Sequence, residues 1–126
     1  MPVDIFRVPF GAGGVAARFA GHPRRMVGEI SIDVGGLVGR IPTEITRDDL
    51  EEWQGVLDSL DGGYEARWRS DEDAPAVSFH RADWGKWRVT VRASEFSLAF
   101  TTSLSDEWFE TSYRQIAKVF ELFETS

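Results

Sequence analysis

Along the N-terminal part of the chain, apolar and polar positions alternate with a period of two and are interrupted by glycine and proline, a pattern that predicts short antiparallel strands. Val3–Val8 is the first run. Gly11-Ala12-Gly13-Gly14 reads as a turn, because consecutive small residues tolerate positive φ, and Val15–Ala20 as the returning strand, ended by Gly21-His22-Pro23. In Met26–Val34, Ile30, Ile32 and Val34 alternate with Glu29, Ser31 and Asp33, giving one apolar and one polar face. Gly35-Gly36 signals a hairpin. Leu37–Ile41 then runs back antiparallel and is predicted to stop near Pro42, which cannot donate to a central ladder.

From Thr46 to Leu60 the period changes. Leu50, Trp53, Leu57 and Leu60 recur at spacings of three and four with Val56 beside them, while Asp48, Glu51, Glu52 and Asp58 fall on the opposite side. Thr46 with Asp49 three residues later forms a capping box with Asp in place of Glu, and Asp61-Gly62-Gly63 is a stop signal. Alternation then returns in four segments: Tyr64, Ala66 and Trp68; Val77 and Phe79; Trp87, Val89 and Val91; and Phe96–Thr101. Ser70–Pro75, with Asp71-Glu72-Asp73, is a charged loop, and Asp83-Trp84-Gly85 a tight connection. From Asp106 to Phe123 the helical period returns, with Phe109, Tyr113, Ile116, Phe120 and Phe123 as one stripe and Ser105 or Asp106 as N-cap.

These segments predict a single α+β domain over residues 1–126. Its mainly antiparallel sheet has about eight strands in the order ββββαββββα, and both helices pack on one face. Trp53, Trp68, Trp87, Phe96, Phe109, Phe120 and Phe123 are the expected core. At 126 residues the chain is long enough to bury about two-thirds of its unfolded surface without staples.

Composition narrows the function classes. The absence of cysteine excludes a disulfide framework, an iron–sulfur cluster and a thiolate nucleophile. Fourteen basic against 21 acidic residues give a net charge of −7, which argues against nucleic acid, whose phosphates need a dense Lys/Arg surface. No run approaches the ~18 apolar residues of a membrane span, and the Met1 segment lacks a signal peptide's order of charge then apolar run. A cytoplasmic location is the expectation.

Candidate chemistry is sparse. Gly11-Ala12-Gly13-Gly14-Val15-Ala16 loosely matches a dinucleotide fingerprint, with Asp33 about twenty residues on, but Gly21-His22-Pro23 leaves no room for the helix that would meet a pyrophosphate, so a hairpin is preferred. His22 and His80 stand far apart without ligand-spaced acids, and no Gly-x-Ser-x-Gly is present. His80 reads as an exposed cross-strand residue. No catalytic residue, metal site or cofactor is therefore expected, and the protein is read as no enzyme.

Asp48, Asp49, Glu51, Glu52 and the loop Asp71, Glu72 and Asp73 are read as a solvated helix face and loop, or as the docking surface for a basic protein partner. Trp84, in a tight turn, either folds back onto the sheet, the preferred reading, or meets another protein. Arg67, Arg69, Arg88 and Arg92 are expected to project from one side of adjacent strands.

The run Gly39-Arg40-Ile41 leads into Thr46-Arg47-Asp48-Asp49-Leu50-Glu51-Glu52-Trp53 and Leu57-Asp58-Ser59-Leu60, followed by four strands and a closing helix. Over most of residues 3–123 this layout resembles WapI-type immunity proteins, and it is similar to small bacterial domains of unknown function. The resemblance implies a cytoplasmic protein that neutralises a cognate toxin domain by direct binding, with no catalytic residues. The alternative is a small-molecule binding module, which a cavity of roughly several hundred Å³ between sheet and helices would favour, or an uncharacterised enzyme-associated domain.

Overall fold

The computed structural model describes residues 3–22, 25–69, 75–93 and 96–124. Strands β1 (Val3–Phe10), β2 (Gly13–His22), β3 (Arg25–Val34) and β4 (Leu37–Ile45) form an antiparallel meander. Helix α1 (Arg47–Asp61) follows. A second antiparallel meander comprises β5 (Ala66–Trp68), β6 (Ala76–Arg81), β7 (Trp87–Ala93) and β8 (Phe96–Thr102), and α2 (Asp106–Glu124) closes the chain. The fold is α+β in the predicted order ββββαββββα.

The eight strands are divided between two sheets of four. Where β1 approaches β8, no ladder joins the described residues. Instead Thr102 Oγ1 donates to Pro9 O, and the Phe10 and Phe100 rings meet edge-on at 5.3 Å. One further expectation is corrected at an edge: β4 continues through Pro42 to Ile45 instead of stopping, because it is the outermost strand of its sheet, where a proline is tolerated. Another concerns β5, which starts only at Ala66. Tyr64, expected in the strand, precedes it and is exposed.

Helix α1 forms as its sequence dictates. Thr46 Oγ1 accepts the Asp49 N–H while Asp49 Oδ2 accepts the Thr46 N–H at 2.9 Å, so two of the orphan donors at the helix start are satisfied. Leu50, Trp53, Val56, Leu57 and Leu60 are all buried. Helix α2 starts on Ser105, whose Oγ accepts the Trp108 N–H at 3.1 Å. Its buried centre is Ile116 and Val119, with Phe109, Tyr113 and Phe120 only partly covered. The Phe123 side chain lies outside the described residues. The helices touch through Tyr113, whose hydroxyl donates to Asp58 Oδ1 at 2.7 Å.

The core unites both sheets and both helices. Trp53, Trp68 and Phe79 are fully buried, Trp87 is nearly so, and Phe96 is half-covered at the margin. The β1–β2 hairpin turns at Gly11-Ala12, tighter than the predicted Gly11–Gly14 loop, because Gly13 and Gly14 already pair with Phe10 and Pro9 as the start of β2. Gly14 just beyond it takes φ +141, and an added Cβ would strike the Val8 carbonyl, so no other residue fits there.

Replacing Thr46 by Ala should lower unfolding free energy by about 1 kcal/mol, whereas Thr46→Ser should be nearly silent. Urea denaturation of the two variants checks this.

Candidate functional site

Three segments that are separate in sequence meet at one end of the second sheet. The link from α1 into β5, Gly63-Tyr64-Glu65, is fastened to the end of β6 by Arg81, whose guanidinium donates to Gly63 O at 2.8 Å and whose backbone N–H donates to Glu65 Oε2 at 3.0 Å. His80 Nδ1 stands 3.0 Å from the same oxygen, with both side chains more than half exposed. The Arg81 guanidinium also lies over the Trp87 ring, 5.7 Å from its centroid. Arg81 is thus a brace for the corner.

Beyond Arg81 the chain reverses through a single 3-10 turn, Asp83–Gly85. Lys86 N–H donates to Asp83 O at 3.3 Å and Ala82 N–H to Lys86 O at 2.9 Å. Trp84 sits in the middle of this turn at φ 64°, ψ 33°, and is 93% exposed. The preferred expectation that Trp84 folds back onto the sheet is therefore wrong. The left-handed backbone at residue 84 directs the indole away from the sheet that an extended residue would have covered. Tyr64, 72% exposed, belongs to the same end of the sheet. So do the exposed acids Asp61, Glu65 and Asp83.

The acidic residues of α1 separate into two kinds. Asp48 and Glu51 are exposed, Glu51 lying 3.5 Å from Arg47 in an (i, i+4) pair. Asp49 and Glu52 are partly buried and committed to the fold. Asp49 caps the helix, takes the Trp68 indole N–H on its backbone carbonyl at 2.9 Å, and lies 3.6 Å from Arg69 Nε. Glu52 Oε1 accepts the Arg69 backbone N–H. Asp71, Glu72 and Asp73 lie outside the described residues. Asp48 and Glu51 lie in the first turns of α1 whereas the Trp84 corner lies past its end, so roughly 15–20 Å of helix separates them. The structure does not bring the acidic face and Trp84 into one patch.

Arg69 also departs from its reading. Strand alternation places it in an outward stripe with Arg67, Arg88 and Arg92, and those three are exposed. Arg69 instead takes φ 67° just after β5, and its side chain turns inward. There it donates to Thr43 Oγ1 at 2.6 Å and lies over the Trp68 ring. Arg69 thereby ties β5 to β4 and to the start of α1. Its strained backbone is held by contacts from three elements, none of which is visible in local alternation.

His80 is exposed and opposite Arg88 in register, as expected of a cross-strand residue. The His22 side chain lies outside the described residues. Among the described residues no cluster of three His, Cys, Asp or Glu could hold a metal ion, and no helix is long and apolar enough to cross a membrane. Tyr113 has its pKa raised, first by burial and then by its bond to Asp58 and the charges of Asp58 and Asp61. Because the shift is upward, the stability it contributes is complete below the unfolded tyrosine value of about 10 and is lost as pH rises through the folded value.

Fold and site define a small α+β protein with an aromatic corner braced by arginine. Residues 13–124 match the model of a family of unknown function, DUF5959, and the chain belongs to that family. No curated protein and no solved structure matches it. Nothing in the family match links the chain to WapI-type immunity proteins.

The division of the acids is open to a direct check. Glu52→Lys should destabilise by about 2 kcal/mol, because it strips the Arg69 N–H of its acceptor. Glu51→Lys should stay within about 0.5 kcal/mol of the parent. Thermal and urea unfolding of the two variants distinguishes them, and equal losses would contradict the assignment.

Proposed function

We propose that this protein is a non-catalytic binding module that docks on a protein partner through the Trp84 corner, and that the partner presents a basic surface. The observation that carries this reading is Trp84 itself, 93% exposed at φ 64°. A left-handed L-residue costs roughly 1–2 kcal/mol, and an indole left in water returns nothing to folding. Asn or Gly would make the same turn without that cost. A bulky ring kept there is explained by a contact made with another molecule.

Its surroundings suit such a contact. Trp, Tyr and Arg are the residue types that dominate binding hot spots, and Trp84, Tyr64 and Arg81 share this end of the sheet. Asp61, Glu65 and Asp83 around them, on a chain of net charge −7, favour a basic partner and speed its approach. The finer reading is an immunity protein that neutralises a cognate toxin domain in the cytoplasm. Its supports are the resemblance of the sequence layout to that of such proteins and this acidic excess. On the same reading the His80–Glu65 pair is a solvent-open brace of the corner and not an acid–base couple, since Glu65 is also the acceptor for the Arg81 N–H.

Trp84→Asn should leave stability equal or raise it by up to about 1 kcal/mol, since Asn tolerates the left-handed region. The same change should weaken the partner about 30-fold or more. Parallel affinity capture with parent and Trp84→Asn baits, followed by titration of the purified partner at two salt concentrations, reads both effects. A partner held equally by the two baits would sink the docking site, and one whose association ignores salt would sink its basic character.

A further inference from the structure

Helix α2 docks on the open edge of β1 through side chains. Gln115 Nε2 donates to Asp4 O, and Trp108 Nε1 donates to Arg7 O at 2.7 Å. These two contacts lie about two helical turns apart, and between them a cavity of about 290 Å³ separates helix from strand. A register shift between Asp4 and Phe6 bends β1 at this place. The volume is near the lower end of small-molecule sites, enough for a ligand of one ring.

The lining has two parts. Phe6, Pro9 and Trp108 supply apolar and aromatic walls, and Arg7, Thr111 and Ser112 supply donors. Ser112 is only 5% exposed, yet its hydroxyl makes no hydrogen bond among the described residues, and neither does that of Thr111. Neither hydroxyl is sealed from solvent, unlike the buried and unpartnered Trp53 indole N–H, so both stay open to the cavity and available to a ligand atom. Arg7 has no acidic partner among the described residues, although Asp4, on the same rim, is matched by Arg18 at 2.8 Å. The uncompensated charge of the cavity is therefore positive, on a protein whose net charge is negative.

We propose that this cavity binds a small aromatic carboxylate. The ring lies between Phe6, Pro9 and Trp108, and the carboxylate takes the Arg7 guanidinium together with the Thr111 and Ser112 hydroxyls. A guanidinium fork matches the two carboxylate oxygens, and such charge-assisted bonds are about twice as strong as neutral ones. The site is independent of the Trp84 corner and stands or falls without it.

Benzoate is the probe, with benzamide as its uncharged isostere. The Trp108 indole N–H, assigned by its loss in Trp108→Phe, reports on the cavity in nitrogen-15 correlation spectra of the full chain. Benzoate should shift that signal saturably, and benzamide should bind about tenfold more weakly or worse. Arg7→Gln, a change at an exposed side chain that leaves the fold intact, should weaken benzoate by a similar factor. Ser112→Leu, which fills the cavity, should abolish binding with the remaining signals in place. The proposal is overturned by an unmoved Trp108 signal, by benzamide binding as well as benzoate, by unaltered benzoate affinity in Arg7→Gln, or by binding that survives in a folded Ser112→Leu.

Discussion

The Trp53 ring lies stacked on Phe6 at 3.9 Å with the planes 18° apart, fully buried in the core that both sheets and both helices share. Phe6 belongs to the first sheet and also meets the edge of Trp68 at 5.0 Å, while Trp53 reaches Phe79 at 6.0 Å and Trp108 at 6.4 Å. One helix residue therefore contacts rings from the first sheet, the second sheet and the other helix. This arrangement is needed because no strand ladder joins β1 to β8. Without the rings the two meanders would be held at their meeting edges only by side-chain contacts such as Thr102 to Pro9. The cluster has a cost of its own, since the Trp53 indole N–H has no partner among the described residues, about 1–3 kcal/mol for a buried donor. Burying several large rings outweighs it.

Around this centre, polar residues work as fasteners. Arg69 binds β4, β5 and α1 together, Arg81 binds the α1–β5 link to β6, and Gln115 and Trp108 occupy carbonyls on the open edge of β1. That last device also blunts an edge strand that would otherwise template pairing with another chain. Once these residues are committed to the fold, few conspicuous groups remain among the described residues. Trp84 stands in water on a strained backbone, and Ser112, Thr111 and Arg7 face a cavity without partners. Both proposed contacts rest on groups that the fold does not use.

What is legible in the sequence is what is local. The 3–4 spacing of Leu50, Trp53, Leu57 and Leu60 and the Thr46–Asp49 box define α1 with no knowledge of its neighbours. Alternation in Met26–Val34 and Trp87–Val91 likewise marks strands, and both segments lie in antiparallel ladders with one face buried. The partition into two sheets is not legible, because it depends on edges as distant in sequence as Pro9 and Thr102. Arg69 escapes the alternation because a single positive φ inverts the face assigned to it. Glu52 reads as one more solvated acid until Arg69 is seen beside it. Trp84 misleads for a similar reason: apolar rings normally pack, and only the turn's left-handed backbone shows that this one does not. The cavity gives no sequence signal at all, since Thr111, Ser112 and Gln115 are ordinary polar residues of an amphipathic helix until β1 lies against them.

If the ring cluster makes one cooperative unit of two unladdered sheets, both sheets must open together. Native-state hydrogen exchange measures this directly by comparing slow backbone amides of β2 and β3 with those of β6 and β7 at increasing denaturant. The expected result is that the most protected amides of both sheets converge on a single opening free energy, and that Trp53→Leu lowers it equally in the two. Separate isotherms, with one sheet exchanging through its own opening while the other stays protected, would contradict it.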